Sequence, residues 1–337
     1  LARVLIAHEH ELDAEVRHLL LAEVAEERGG RRVAGGAGGA LVVAGVRRGR
    51  LQQRVAVVPI EPDRAAAEID DRGRIKLYAS TQMPHALHGQ LAGSLGIAKD
   101  EIHVVTPQVG GGFGGKAGLM AEHVVISALT KRFARPVVWV PPRSDDMKSL
   151  LHSRGQIQYA ELGCDADGRF TNLRVRIVND AGAYPNIGAH LPGLSRNMAQ
   201  GTYAIPELEF DIAVAVTNTT PMGAYRGAGR PEATALIERL TDQAALELGI
   251  DPLEIRRRNF LGEDVFPFKT IAGPTYDTGR YAVALERAAG GLGQGSGFRH
   301  RVLTCSHDRT CPEHLSRAQD CADIVRVGNP VQQHHQR

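Results

Sequence analysis

The sequence predicts an α+β fold with mixed sheets over residues 51–288, flanked by irregular segments at 1–50 and 289–337. Three observations carry this. Some stretches of the middle region alternate apolar and polar residues with the period of a strand, and others repeat apolar residues every three or four positions as helices do. Its strands follow one another in pairs, without the regular strand–helix alternation of a purely parallel sheet. The two flanks sustain neither period.

In the first flank, Glu9–Glu27 is rich in Leu, Ala and Glu and predicts a helix. The following "GGRRVAGGAGGALVVAGVRRGR" is dense in Gly and Arg and reads as loop or low-complexity sequence. The middle region opens with "VAVVPIEP", a short apolar strand stopped by Pro59 and Pro62. "RIKLYAS" alternates, with Ile75, Leu77 and Ala79 on one face. Pro84–Leu95 spaces Leu87, Leu91 and Leu95 by four and predicts a helix, with Thr81 as its cap. "EIHVVTP" is a strand, the glycine-rich run follows, and a helix is predicted from about Ala117 to Phe133.

"PVVWV" reads as a buried strand. "GQIQYAEL" and "FTNLRVRIVNDAGAY" form a hairpin around the turn "DADGR". "FDIAVAVTNTT" is a further strand leading into "PMGAYRGAGRPEA". Pro231 opens a helix whose inner face holds Leu236, Ile237, Leu240 and Ala244. In "DPLEIRRRN", Asp251 is the N-cap, Pro252 lies in the first turn and Glu254 completes a capping-box pattern. Beyond Ala289 the pattern stops abruptly. The tail holds three cysteines and five histidines in spacings that fit no standard zinc site. It reads as disordered sequence or as translation in a wrong frame, and the abrupt change favours the second.

The 337 residues set a prior of about two domains. A net charge of +2 gives no case for nucleic acid or an anionic membrane surface, and no apolar run reaches a membrane span. No secretory pattern opens the chain, so a cytoplasmic protein is expected. It begins at Leu1 rather than Met, which suggests a fragment or an incomplete gene model.

"TPQVGGGFGGKAG" (106–118) fits two phosphate motifs at once. As a P-loop it lacks the hydroxyl that holds magnesium, since Ala117 follows Lys116. As a dinucleotide fingerprint it lacks an acidic residue closing the next strand, which ends in Pro141–Pro142. What remains is a loop of bare amides around Phe113. Such a loop suits a cofactor with anionic or oxo groups and a flat ring, or else close packing between strand and helix.

Four stretches in order, "STQMPH" (80–85), "VGGGFGGK" (109–116), "AYRGAGRPEA" (224–233) and "IDPLEIRRRN" (250–259), carry a resemblance. Across roughly Gln52 to Arg287 the chain resembles the large, molybdopterin-binding subunit of the xanthine dehydrogenase and aldehyde oxidase family. The resemblance implies a mixed-sheet molybdopterin-binding domain. It makes Gln82 the amide donor to an oxo ligand of molybdenum, where otherwise a capping or surface glutamine would be read. It places Gly111, Gly112, Phe113 and Gly114 against the cofactor, and Arg226 and Gly227 beside the metal centre. Arg154 is matched loosely to a substrate-pocket arginine, because Ser153 stands where the family often has glycine.

Departures from the family narrow the substrate. Ala117 replaces the acidic partner of purines, and Ala228 replaces the phenylalanine that holds their ring. Gly227 replaces the copper-binding cysteine of carbon monoxide dehydrogenases. The resemblance implies hydroxylation of an aldehyde or N-heterocycle with water as oxygen source, at a molybdenum–molybdopterin cofactor for which the cytosine dinucleotide is one candidate form. It implies 2Fe-2S and FAD groups on partner small and medium subunits, since the cysteines here form no cluster pattern. The family's base is a glutamate in a "GVGE"-like motif. Glu313, in "CPEHL", does not match it, so the chain alone is expected to be inactive. A phosphate- or nucleotide-binding module without catalysis and a decayed remnant are the competing readings.

Overall fold

Alternation along two neighbouring strands builds the centre of the protein. The computed structural model describes the backbone of residues 3–6 and 44–291 and the side chains of 52–290. The expected helix Glu9–Glu27 and the cysteine-bearing tail lie outside these residues. Contacts divide the chain into Leu1–Tyr281 and Ala282–Arg337. The second unit is described only through the remainder of a helix, α7 (Tyr281–Gly291).

The first unit contains two main sheets. The larger is formed by β1 (Arg3–Ile6), β2 (Ala44–Gln52), β9 (Gln156–Cys164), β10 (Phe170–Asp180) and β11 (Leu208–Val216), in the order β1-β11-β10-β9-β2. β9 and β10 pair antiparallel around the Asp165–Arg169 turn, as the hairpin pattern predicts, whereas β11 runs parallel to β10. Leu162 and Leu173 are opposed in register, and both are fully buried. They face Leu236, Ile237, Leu240 and Ala244 of α5 (Arg230–Leu248), which is the apolar face expected of that helix. Tyr203 closes this core. Its ring stacks on Phe260 at 5.5 Å, and its hydroxyl donates to Glu238 at 2.8 Å.

The second sheet has the order β6-β5-β4-β7, formed by β4 (Ala65–Ile69), β5 (Ile75–Ala79), β6 (Ile102–Val105) and β7 (Val137–Trp139). α1 (Pro84–Leu95) connects β5 to its parallel neighbour β6. The inner positions Ile75, Leu77 and Ala79 alternate as expected and are buried, and Leu77 and Ala79 pack in one cluster with Leu87 and Leu91. Small two-stranded pairs join β3 (Val55–Ala56) to β8 (His152–Ser153) and β12 (Phe268–Lys269) to β13 (Thr275–Tyr276).

Several expectations need correction. Ala44–Arg50, read as loop, forms most of β2, because pairing with β9 overrides its weak local preference. β7 is an edge strand whose Val138 is 66% exposed, so it is not a buried strand. α2 (Ala121–Phe133) starts four residues later than expected, after a left-handed Gly118 (φ 92°). Thr81 does not occupy the N-cap of α1, which is Met83; its hydroxyl accepts from the Met83 N–H at 3.1 Å. Two short helices, α3 (Arg143–Ser149) and α4 (Leu191–Met198), had no clear signal. In α6 (Pro252–Asn259), Asp251 caps the Leu253 and Glu254 amides as expected, while the Glu254 side chain pairs with Arg258 at 2.9 Å.

Candidate cofactor site

The glycine loop is held from below by a buried cation. Lys116 is 1% exposed, and its Nζ donates to Ser80 Oγ at 2.8 Å and to the Glu61 carbonyl at 2.9 Å. Nζ also reaches Glu61 Oε2 at 3.2 Å and the Pro62 carbonyl at 3.3 Å. Glu61 in turn accepts from the Gly110 N–H at 2.7 Å and from Ser80 Oγ at 2.6 Å. Burial opposes the charge on Glu61, but hydrogen bonds from Ser80, Gly110 and Lys116 outweigh it and hold the carboxyl at about 2. Lys116 is therefore committed to the loop's foundation and cannot serve as a phosphate-binding P-loop lysine.

Asp63 lies beside this foundation. Its Oδ1 is buried without a hydrogen-bond partner, and its N–H donates to Asp146 Oδ1 at 2.7 Å. Burial pushes its carboxyl up to about 7; Lys116 works in the opposite direction, and Glu122, Asp146 and Glu61 add to the rise.

Above the foundation the loop positions Gln82. Gln82 Oε1 accepts from the Gly114 N–H at 2.8 Å and the Lys116 N–H at 3.3 Å. With its oxygen committed on the loop side, the carboxamide turns Nε2 away as a donor that has no acceptor among the described residues. Gly112 makes room for this side chain, since a Cβ there would meet Gln82 at 2.5 Å. The N–H groups of Gly111, Gly112, Phe113 and Gly227 also lack acceptors among the described residues. Gly114, by contrast, spends its amide on Gln82.

A second loop closes against the first. The Arg226 N–H donates to the Phe113 carbonyl at 2.8 Å, and the Arg226 guanidinium lies over the Phe113 ring, 4.9 Å from its centroid. Gly114 (φ 100°) approaches so closely that a Cβ would lie 2.5 Å from the Ala224 carbonyl oxygen. Residues 227–229 all have positive φ and turn the chain into α5, with Ala228 the non-glycine among them. Arg154 donates from Nη1 to both oxygens of Glu232 and from Nη2 to the Arg226 carbonyl, each at 3.0 Å. Its guanidinium is engaged with these groups and with the Tyr225 ring at 5.2 Å, so it supports the loop.

The structure thus brings Gln82, Gly111, Gly112, Phe113, Gly114, Arg226 and Gly227 together. A fixed amide donor, four bare backbone N–H groups and a 41%-exposed Phe113 ring fit a pterin-type cofactor with oxo and anionic groups. Among the described residues, no three His, Cys, Asp or Glu side chains converge as metal ligands, so this surface would hold such a cofactor by hydrogen bonds and shape. The roles of Glu61, Ser80 and Glu232 were not read from the sequence. The lysine ending the glycine run and the glutamate after Pro231 were the available signals, but their partners lie 55 and 78 residues away in the chain.

Residues 35–260 match the family described as the molybdopterin cofactor-binding domain. The chain is 33% identical over 243 residues to the nicotine 6-hydroxylase large subunit of Paenarthrobacter nicotinovorans, covering 69% of this chain and 29% of that protein. It is 33% identical to the carbon monoxide dehydrogenase large chain of Hydrogenophaga pseudoflava, covering 69% of this chain and 30% of that one. The fold superposes on quinoline 2-oxidoreductase from Pseudomonas putida 86 with a TM-score of 0.71 at 32% identity, over 77% of this chain and 33% of that one. The chain spans about 30% of the length of the curated relatives it matches.

Proposed function

Because the chain belongs to the molybdopterin cofactor-binding domain family of the xanthine dehydrogenase, aldehyde oxidase and carbon monoxide dehydrogenase large subunits, we propose that it forms one wall of a molybdenum–pterin site. The observation that carries this is the fixed orientation of Gln82, whose Oε1 is held by two loop amides while Nε2 is left to donate. When bound, the cofactor supplies a two-electron redox centre for hydroxylating an aldehyde or N-heterocycle with oxygen from water.

Gln82 Nε2 would orient an oxo group without being able to protonate it. The N–H groups of Gly111, Gly112, Phe113 and Gly227 would be free to donate to anionic oxygens of the cofactor. The Phe113 ring forms an apolar wall, and Ala117 and Ala228 leave the substrate side open and without a polar anchor. That favours a substrate other than a purine. Relatives named for nicotine and quinoline support an N-heterocycle. Gly227 offers no thiolate, which weighs against copper and carbon monoxide.

Of the two carboxylates that brace these loops, Glu61 is held at about 2 and is a poor base, and both oxygens of Glu232 are engaged by Arg154. Neither carboxylate is free at the site, and we propose that the chain alone is inactive. Partner subunits would hold the 2Fe-2S and FAD groups that accept electrons, a reading supported by relatives named as a large subunit and as subunit gamma of a dehydrogenase complex.

The test is to express the full chain in a host that makes the cofactor and to measure molybdenum and pterin per chain, with quinoline and aldehyde oxidation by an artificial acceptor. Bound cofactor without turnover is the expected result. Specific binding of ATP or NAD by molybdenum-free protein would instead support a nucleotide-binding module.

A further inference from the structure

The groups that fix Gln82 extend beyond the glycine loop. We infer that Glu232 is a positioning residue for the cofactor site: a buried carboxylate that acts through Arg154 and the Arg226 peptide to keep the Gln82 amide turned outward. This rests on the cofactor reading above.

The connection is continuous. The Glu232 side chain is fully buried in the first turn of α5, where the helix dipole favours a negative group. Both of its oxygens accept from Arg154 Nη1, and Arg154 Nη2 donates to the Arg226 carbonyl. The Arg226 N–H donates to the Phe113 carbonyl at 2.8 Å. The next amide along, Gly114 N–H, donates to Gln82 Oε1 at 2.8 Å. The Arg154 guanidinium and the Phe113–Gly114 peptide each carry two links, and the two Arg226 links lie on the peptides either side of its Cα.

Two features argue for a role beyond generic stability. Arg154 adopts a left-handed backbone (φ 73°), which is unfavourable for a side chain of its size. A buried ion pair by itself is often no more stabilising than apolar residues of similar volume. The apolar replacement would lack the Nη2 bond to Arg226, and that bond is what connects the pair to the site.

The experiment uses the full chain from a cofactor-making host. It compares wild type, Glu232→Gln and the double variant Glu232→Met/Arg154→Met by amide hydrogen exchange, thermal midpoint and molybdenum per chain. Glu232→Gln should speed exchange at the Gly114 and Arg226 amides roughly tenfold, the effect of losing one charge-assisted bond, with β10 amides unchanged. The double variant removes both charges, so its midpoint should return toward wild type while the loop amides stay fast and molybdenum stays low. If Glu232→Gln does not fold, the double variant decides. Recovery of slow loop exchange together with the midpoint, or unchanged loop exchange in folded Glu232→Gln, would show that the pair serves stability alone. Wild-type protein without molybdenum would overturn the cofactor reading and leave the exchange comparison to judge the coupling itself.

Discussion

Gly112 has no room for a methyl group, because Cγ, Cδ and Oε1 of Gln82 all lie 2.5 Å from where its Cβ would stand. In Gly112→Ala the glutamine must leave its two amide donors, and Nε2 loses its direction. Overpacking of this kind costs about 1–3 kcal/mol, so cofactor retention should fall by roughly tenfold or more, checked as molybdenum per chain. At Asp63 the effect depends on pH. Burial keeps its carboxyl protonated up to about 7, whereas an unfolded aspartate ionises near 3.9. Across that window the native state binds the extra proton, so this residue's contribution to stability falls as pH rises from about 4 to about 7 and stays lost above it. Asp63→Asn should therefore raise the thermal midpoint at pH 8 and change it little at pH 4. An equal shift at both would contradict the assignment. Glu61 has the opposite sign: its stabilisation is present above the unfolded value and is lost as pH falls toward about 2.

Among the elements, the β9–β10 hairpin carries the larger core. Leu173 is fully buried opposite Leu162 and packs beneath α5, so Leu173→Ala should cost about 2–5 kcal/mol in denaturant unfolding. The hairpin, β5 and α5 were legible because each buries one face and the sequence period records which face. β4 was not. "AAAEI" is alanine-rich and weak as a strand signal, yet Ala65 and Ala67 are buried between two neighbouring strands, where small side chains fit under α2. β7 misled for the opposite reason. "PVVWV" is apolar throughout, but its outer residues Val138 and Val140 are more than 60% exposed, so hydrophobicity alone could not say which strands are inside.

Across the whole molecule, the site's surface was more legible than its support. Gln82 and the glycine loop lie in short motifs whose residue types already state what they offer: an amide, bare N–H groups and one ring. The Lys116–Glu61–Ser80 foundation and the Glu232–Arg154 pair join residues far apart in the chain, and no local pattern records such partners. One support ends on the glycine loop and the other on the Arg226 loop that closes against it, and the central claim is that together they preshape a cofactor wall. The direct measurement is the molybdenum and pterin content of the purified full chain beside its Gly112→Ala variant, both made in a cofactor-producing host. Near-stoichiometric cofactor in the wild type, largely lost in a variant that stays folded with a modestly lowered thermal midpoint, is the predicted result. A folded wild-type chain without molybdenum, or a variant that retains it fully, would contradict the account.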